Sequence, residues 1–459
     1  MALDKTCLKN ICKKQARPNY NNFKAQSFEI NKKEELKMKK KLLAVLLSVA
    51  MVATMLTACG SKAPATEEPT TEAPAEEPAA EEPAAEPAAE EPAAGGDNLE
   101  ASKVMFADAV DAEMTTDNQI LMPEPILKEV PERPADPESL PDDDAGKYFD
   151  MEYLTEGEKA ENLPASPADG SIGKKVVVIV HGDHAWTTAY SKGYTQAGEA
   201  LGMEIEVLSP NWDQAMQDQL IDQAINSKPD AIALIPLSAE NATQQFKKIT
   251  DAGIPAFGTN TLATADALAY MQAWTGPDDW AQMRQLADTL GTAMEGKGGV
   301  AYITHNVGTS PYYARTYGPI TQLKATNPEI QTLDIQSPGF EAAKVKQVVS
   351  DWCTKYGDEL NAIFLADDSD QVTGTVDALK EANRTDVLVV AAGNSKAGQD
   401  AVKAGDVKII NYQSAEGDAG LSARTVAAWF NGEEIHRVGY LTTDMITQEN
   451  VDQFFPTQW

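Results

Sequence analysis

The run Lys175-Val176-Val177-Val178-Ile179-Val180 breaks abruptly into His181-Gly182-Asp183-His184, and Thr188 to Leu201 then follows with helical apolar spacing. A continuous β-branched run of that length reads as a strand buried on both faces, and the polar loop after it is too hydrophilic to plug a core. The same alternation recurs outward from it. Ile205 to Leu208, Ala231 to Ile235 and Pro255 to Phe257 read as strands, with helices expected over Asp213 to Asn226 and Ala239 to Ala252. In the helix beginning at Asp213, Met216, Leu220 and Ala224 form one stripe opposite Gln217, Asp218 and Asp222, and Asn211 or Asp213 is placed to cap its first turn.

The pattern then restarts. Val300 to Thr304, Thr332 to Ile335, Ala362 to Leu365, Val387 to Ala391 and Val407 to Asn411 read as strands. Helices are expected over Asp278 to Met294, Tyr313 to Ala325, Glu341 to Lys355, Val372 to Ala382 and Gly417 to Phe430. Two successive parallel sheets of this size predict an α/β protein of two Rossmann-like lobes. Ligands of such sheets sit outside the carboxyl ends of the strands, which puts a site where the strand-end loops of the two lobes face one another.

The residues before this region are of another kind. Met38 to Cys59 reads MKKKLLAVLLSVAMVATMLTAC: three lysines, an apolar run and small residues ahead of a cysteine. That order predicts an export signal over 38–58 and a lipid-modified N-terminal Cys59. Ser48, Thr54 and Thr57 thin the run below the roughly 20 apolar residues of a membrane-spanning helix. Residues 1–37 are polar and aperiodic, consistent either with a true start at Met38 or with a cytoplasmic extension. Residues 59–97 repeat Glu-Glu-Pro-Ala-Ala with no aromatic residue, a composition that predicts an extended tether. From 98 to 170 apolar islands such as Ile120-Leu121-Met122 and Tyr148-Phe149 stand among acids and prolines, so this acidic extension is expected either to dock in part on the main domain or to remain disordered.

Of the formal net charge of −32, residues 63–170 contribute −25 through 30 acidic and 5 basic side chains. Such a chain repels nucleic acid and anionic headgroups, so nucleic-acid binding is not expected and membrane attachment falls to the lipid. Outside 1–58 only Cys59 and Cys353 remain, which leaves no disulfide framework, and Cys353 reads as a small core residue. No G-x-S-x-G, Walker loop or strand-registered G-x-G-x-x-G occurs. His181 and His184 lie three apart in a loop without helical geometry, so neither a metal nor any cofactor is expected. Asp367-Asp368 is a carboxylate pair at a strand end, where neighbouring side chains point to opposite sides, which suits hydrogen bonding better than glycosidase chemistry across a cleft. An enzyme is therefore not expected.

Lys175 to Val180 with Trp186 and Lys192-Gly193, Lys228-Pro229-Asp230-Ala231-Ile232, Ala252-Gly253-Ile254-Pro255, Gly308-Thr309-Ser310 with Arg315, and Ala404-Gly405-Asp406 resemble the ribose-type periplasmic sugar-binding proteins over about 174–455. The resemblance implies two lobes joined by a three-crossover hinge, with 171–273 plus 412–438 as the N-terminal lobe and 274–411 plus 439–459 as the C-terminal lobe. It also implies a monomer that closes on one small neutral polar solute, most simply a sugar or polyol, and hands it to the permease of an ABC importer; a ligand-sensing receptor for a membrane kinase or chemoreceptor is the alternative. Carried over by position, Trp186 and Phe340 are the aromatic platforms, with Trp186 open to a core-filling role as well. Asn260-Thr261 replaces the family's Asp-Arg pair and Tyr313 an arginine, while Arg315 is either a ligand contact or a structural ion pair. Asp183, Asp367, Asn394 and Gln413 complete the expected contacts, with Asp278 either among them or the cap of its helix.

Overall fold

The computed structural model describes residues 95–153 and 160–459. The run 1–37, the signal over 38–58, Cys59 and nearly all of the tether lie outside the described residues. The strands are β1 Lys175–Ile179, β2 Glu204–Leu208, β3 Ala231–Leu234, β4 Ala256–Thr259, β5 Ala273–Pro277, β6 Lys297–Ile303, β7 Glu329–Gln336, β8 Leu360–Leu365, β9 Leu388–Ala391, β10 Ile409–Tyr412, β11 Val438–Leu441 and β12 Asp444–Ile446. The α-helices are α1 Gly95–Ala109, α2 Phe149–Glu152, α3 Ala185–Ala200, α4 Gln214–Ser227, α5 Ala239–Asp251, α6 Ala265–Leu268, α7 Asp279–Ala293, α8 Ser310–Thr326, α9 Ala342–Tyr356, α10 Asp370–Glu381, α11 Lys396–Ala404 and α12 Ala415–Phe430.

Two six-stranded sheets result, in the orders β11-β5-β4-β3-β1-β2 and β12-β10-β9-β8-β6-β7. Every pairing is parallel except β10 with β12. Helices cover both faces, and the central strands β3, β4 and β5 are buried along their whole lengths. The chain crosses between the sheets after β5, between β10 and β11 through α12, and between β11 and β12. These three crossings form the hinge.

β5, Ala-Trp-Thr-Gly-Pro, pairs with β4 and β11 in the first sheet, so the first crossing falls at Asp278 and not at 273/274. β11 joins the same sheet through Leu441, which moves the third crossing to Thr442-Thr443, three residues beyond the expected boundary at 438/439. Both strands carry glycine and lack a β-branched run; pairing makes them strands, β5 between β4 and β11, and β11 on β5.

The α4 stripe also differs from expectation. Met216 is exposed while Gln217, Ile221 and Ala224 are buried. Gln217 is turned inward because its amide meets the open backbone after β3: Nε2 donates to Ile235 O at 2.9 Å and Oε1 accepts from Leu237 N at 3.2 Å. Asp213 is the cap, accepting from Met216 N at 2.8 Å.

The 95–153 extension is folded onto the domain. α1 leads into Leu121 and Met122, both without exposed surface, and Tyr148 and Phe149 are buried further on. Val104 and Met105 face outward instead. No helix among the described residues is long and apolar enough to cross a membrane.

Candidate functional site

The strand-end loops of both sheets converge on a cavity of about 500 Å³. From the first lobe, β1 runs into His181 and His184. The His184 ring caps α3, its Nδ1 accepting from Trp186 N at 3.1 Å. The cap seats Trp186 in the first turn, with its ring 5.1 Å from that of Tyr190 and stacked on it at 26°. Trp186 is thus both cavity wall and part of the core cluster beneath.

Trp212, which sequence reasoning passed over, roofs this side. Asn211 and Trp212 both adopt left-handed backbone, with φ of 52° and 63°. Trp212 N donates to His181 O at 2.9 Å, and its ring stacks on the His181 imidazole at 4.7 Å. The indole lies so close to Gly182 that a Cβ there would fall 2.3 Å from it, which explains the glycine. Consecutive left-handed non-glycine residues leave no mark that a sequence pattern reveals.

Asn260 follows β4 with φ of 56° and donates from Nδ2 to the buried Asp418 Oδ2 at 2.7 Å. Thr261 stands beside it in the cavity wall, and the next amide, Leu262 N, donates to Ser310 Oγ of the other lobe at 2.9 Å.

From the second lobe, Phe340 meets His305 edge-on at 4.9 Å, and His305 Nδ1 lies 3.1 Å from Thr309 Oγ1. Asp367 lies in the loop two residues beyond β8, its Oδ1 accepting from Ser369 N at 2.9 Å, while Asp368 turns away from the cavity and accepts from Ser395 N at 2.8 Å. Arg315 is fully engaged by protein: Nε donates to Asp279 at 3.0 Å, and its terminal nitrogens to Ala366 O at 2.9 Å and Gln413 Oε1 at 3.0 Å. It is an ion-pair residue whose side chain also lines the cavity.

Of the expected contacts, Trp186, Asn260, Thr261, Arg315, Phe340, Asp367 and Gln413 come together at this cavity. The other four stand elsewhere. Asp183 is exposed and offers its carbonyl to Trp212 Nε1 at 3.2 Å. Asp278 caps α7 and pairs with Lys128 at 2.9 Å. Tyr313 joins an aromatic cluster with Tyr148 and Trp280. Asn394 lies behind the wall, its Oδ1 accepting from Gln413 N at 3.4 Å. His181, His184, His305 and Trp459 are wall residues that sequence reasoning did not assign. The two histidines of the first loop were visible as a polar strand-end loop, whereas Trp459 reaches the site only through tertiary packing.

Burial sets the protonation of the groups around the cavity. Burial, with His184 nearby, pushes the His181 imidazole down to about 3, and burial together with Arg315 takes His305 well below its ordinary value, so both rings are neutral at neutral pH. Burial lifts Asp418 up to about 8, against the Asn260 bond, and burial raises Asp367. The one arginine in the wall is already neutralised by Asp279. Among the described residues no cluster of three or more His, Cys, Asp or Glu is placed to hold a metal.

A hinged pair of parallel α/β lobes with polar groups and aromatic rings facing across a cleft has the build of a clamp for a solute between its halves. A family model described as a periplasmic binding protein domain matches residues 172–434, and the chain belongs to that family. A xylitol-binding protein of Mycolicibacterium smegmatis is 28% identical over 290 residues, 62% of this chain and 80% of that protein. An ABC transporter solute binding protein of Bacillus halodurans, solved with bound myo-inositol, superposes with a TM-score of 0.57 at 19% identity, covering 62% of this chain and 99% of that one. One from Actinobacillus succinogenes, solved with bound D-allose, gives a TM-score of 0.56 at 21% identity over 61% and 100% of the two chains.

Proposed function

We propose that this protein is an extracytoplasmic solute-binding lipoprotein, anchored through Cys59, that captures an uncharged sugar or polyol between its lobes and delivers it to an ABC importer. The observation that carries the reading is the cavity itself, with one aromatic face from each lobe, Trp186 and Phe340, and the amide and hydroxyl groups of Asn260, Thr261 and Gln413 between them. Aromatic faces pack on the C–H faces of a sugar or polyol, and side-chain amides and hydroxyls take its hydroxyl groups without needing a counter-charge. We assign solute contact to Trp186, Asn260, Thr261, Phe340, Asp367 and Gln413, and to Arg315 the task of holding Gln413 and Asp279 in place. The ligands named for the relatives, xylitol above all, set the first compounds to try.

The test is a thermal-shift screen against xylitol, myo-inositol, D-allose and a nucleoside. A saturable rise in melting temperature with a polyol or monosaccharide is expected, since a ligand that binds only the folded state stabilises it by mass action. Trp186→Ala should abolish the rise and also lower the solute-free melting point, because the ring stacks on Tyr190 within the core. A rise with the nucleoside alone, or with none of the four, would sink the proposal.

A further inference from the structure

The extension carries the strongest unassigned feature. The family match begins at residue 172, and the two solved relatives are covered almost end to end by about three-fifths of this chain, so residues 95–153 are an addition to the shared fold. They touch both lobes and meet the hinge at each of its three crossings.

On the first lobe, Asn98 Nδ2 donates to Asp169 O at 2.8 Å and Ser102 Oγ accepts from Ile172 N at 3.1 Å. Leu121 lies against α12 so closely that a Cβ on Gly420 would fall 2.0 Å from its carbonyl oxygen. On the second lobe, the Tyr148 ring stacks on Tyr317 at 4.8 Å and lies 5.5 Å from Trp280. Glu152, 1% exposed, receives Arg284 of α7 at 2.7 Å. At the first crossing Lys128 pairs with Asp278 at 2.9 Å and with Glu152 at 3.2 Å. At the second, Tyr412 Oη donates to Asp117 Oδ1 at 3.1 Å and Gln458 Nε2 to the same oxygen at 2.9 Å. Beside the third, Ile126 exchanges both backbone hydrogen bonds with Tyr440 on the free edge of β11, at 2.8 and 2.9 Å.

We propose that residues 112–153 are a strap that holds the two lobes near their closed arrangement, with Lys128, Tyr148 and Glu152 as positioning residues for solute capture. Hinge rotation turns α7 and α8 away from α12 and β11, so any wide opening must lift the strap from one lobe or the other. Lifting the strap from the second lobe is costly, because it parts the buried Glu152 from Arg284 of α7, while Lys128, itself in the strap, stays with the carboxylate. A molecule kept near closure loses less affinity to an open population, because the apparent dissociation constant is the intrinsic one divided by the competent fraction.

The experiment reads hydrogen exchange of single amides in the solute-free full chain, so it is independent of the sugar or polyol reading. The reporter is Leu262 N, whose bond to Ser310 Oγ spans the lobes. In the double variant Tyr148→Ala/Glu152→Lys, which removes the stacked ring and sets a cation against Arg284 and Lys128, Leu262 should exchange at least tenfold faster than in the wild type. Val178 in β1 and Ile363 in β8 should be unaffected. An unchanged Leu262 amide overturns the proposal, and so does general acceleration through β1 and β8, which would make the segment part of the folding core and not a strap. Where xylitol binds the wild type, the variant should bind it more weakly, chiefly through faster release; an unaltered dissociation constant counts against the strap.

Discussion

Asp418 shows how much the setting of one side chain controls. It sits fully buried at the start of α12, with one oxygen taken by Asn260 and the other without a partner among the described residues. Its carboxyl holds a proton in the folded chain up to about 8, whereas in the unfolded chain it ionises near its ordinary value. The folded state therefore binds the extra proton between those limits, and stability falls as pH rises through that window. His181 acts oppositely but below 6.5, where only the unfolded chain is protonated. Between pH 6.5 and 8 the carboxyl effect is thus isolated from that histidine, and Asp418→Asn should flatten the decline of melting temperature over this range. An equally steep decline in the variant would show that other buried acids, Asp279 or Asp368, carry it. None of this was legible in the sequence, where Asp418 reads as one more acid in a helical first turn.

At the scale of elements, α4 illustrates where periodicity succeeds and where it slips. Its ends were legible to within a residue, Asp213 proved the cap of the two offered, and its inward face was right at Ala224 but slipped by one position at Met216, where the neighbouring glutamine takes the buried site. A methionine gains only apolar contact there, whereas Gln217 satisfies a carbonyl and an amide that have left the β3 ladder, and it accepts from Gln245 at 3.1 Å as well. Gln217→Ala should therefore destabilise the protein by about 1–3 kcal/mol, the penalty for leaving buried backbone groups unpaired. Chemical denaturation measures it, and a loss below about 0.5 kcal/mol would mean that water replaces the amide. β5 and β11 show the complementary failure: glycine and proline within them hid strands that their neighbours in the sheet impose.

For the molecule as a whole, the lobes and the cavity follow the acidic run 59–97 in the sequence, and the proposed attachment is at Cys59. Cys59→Ser should remove incorporation of labelled fatty acid and shift the protein from the membrane to the aqueous fraction. Continued sedimentation with membranes after that change would reject the lipid anchor and point to another attachment.

Chain-local chemistry determined the class of this protein: β-branched runs and helical stripes repeat at a period that only stacked βαβ units satisfy, and strand-end loops mark where a site must lie. Seven of the expected residues reach the cavity; all but Arg315, which lies in the second turn of α8, sit in a strand-end loop or open a helix, so their positions were tied to elements that periodicity reveals. Tertiary structure alone decided that Trp212 and Trp459 close the walls, that Asp278 pairs with Lys128 and Tyr313 joins an aromatic cluster, and that residues 112–153 pack against both lobes. Those outcomes depend on left-handed turns, edge pairing and contacts between residues hundreds of positions apart, which no local pattern of polarity encodes.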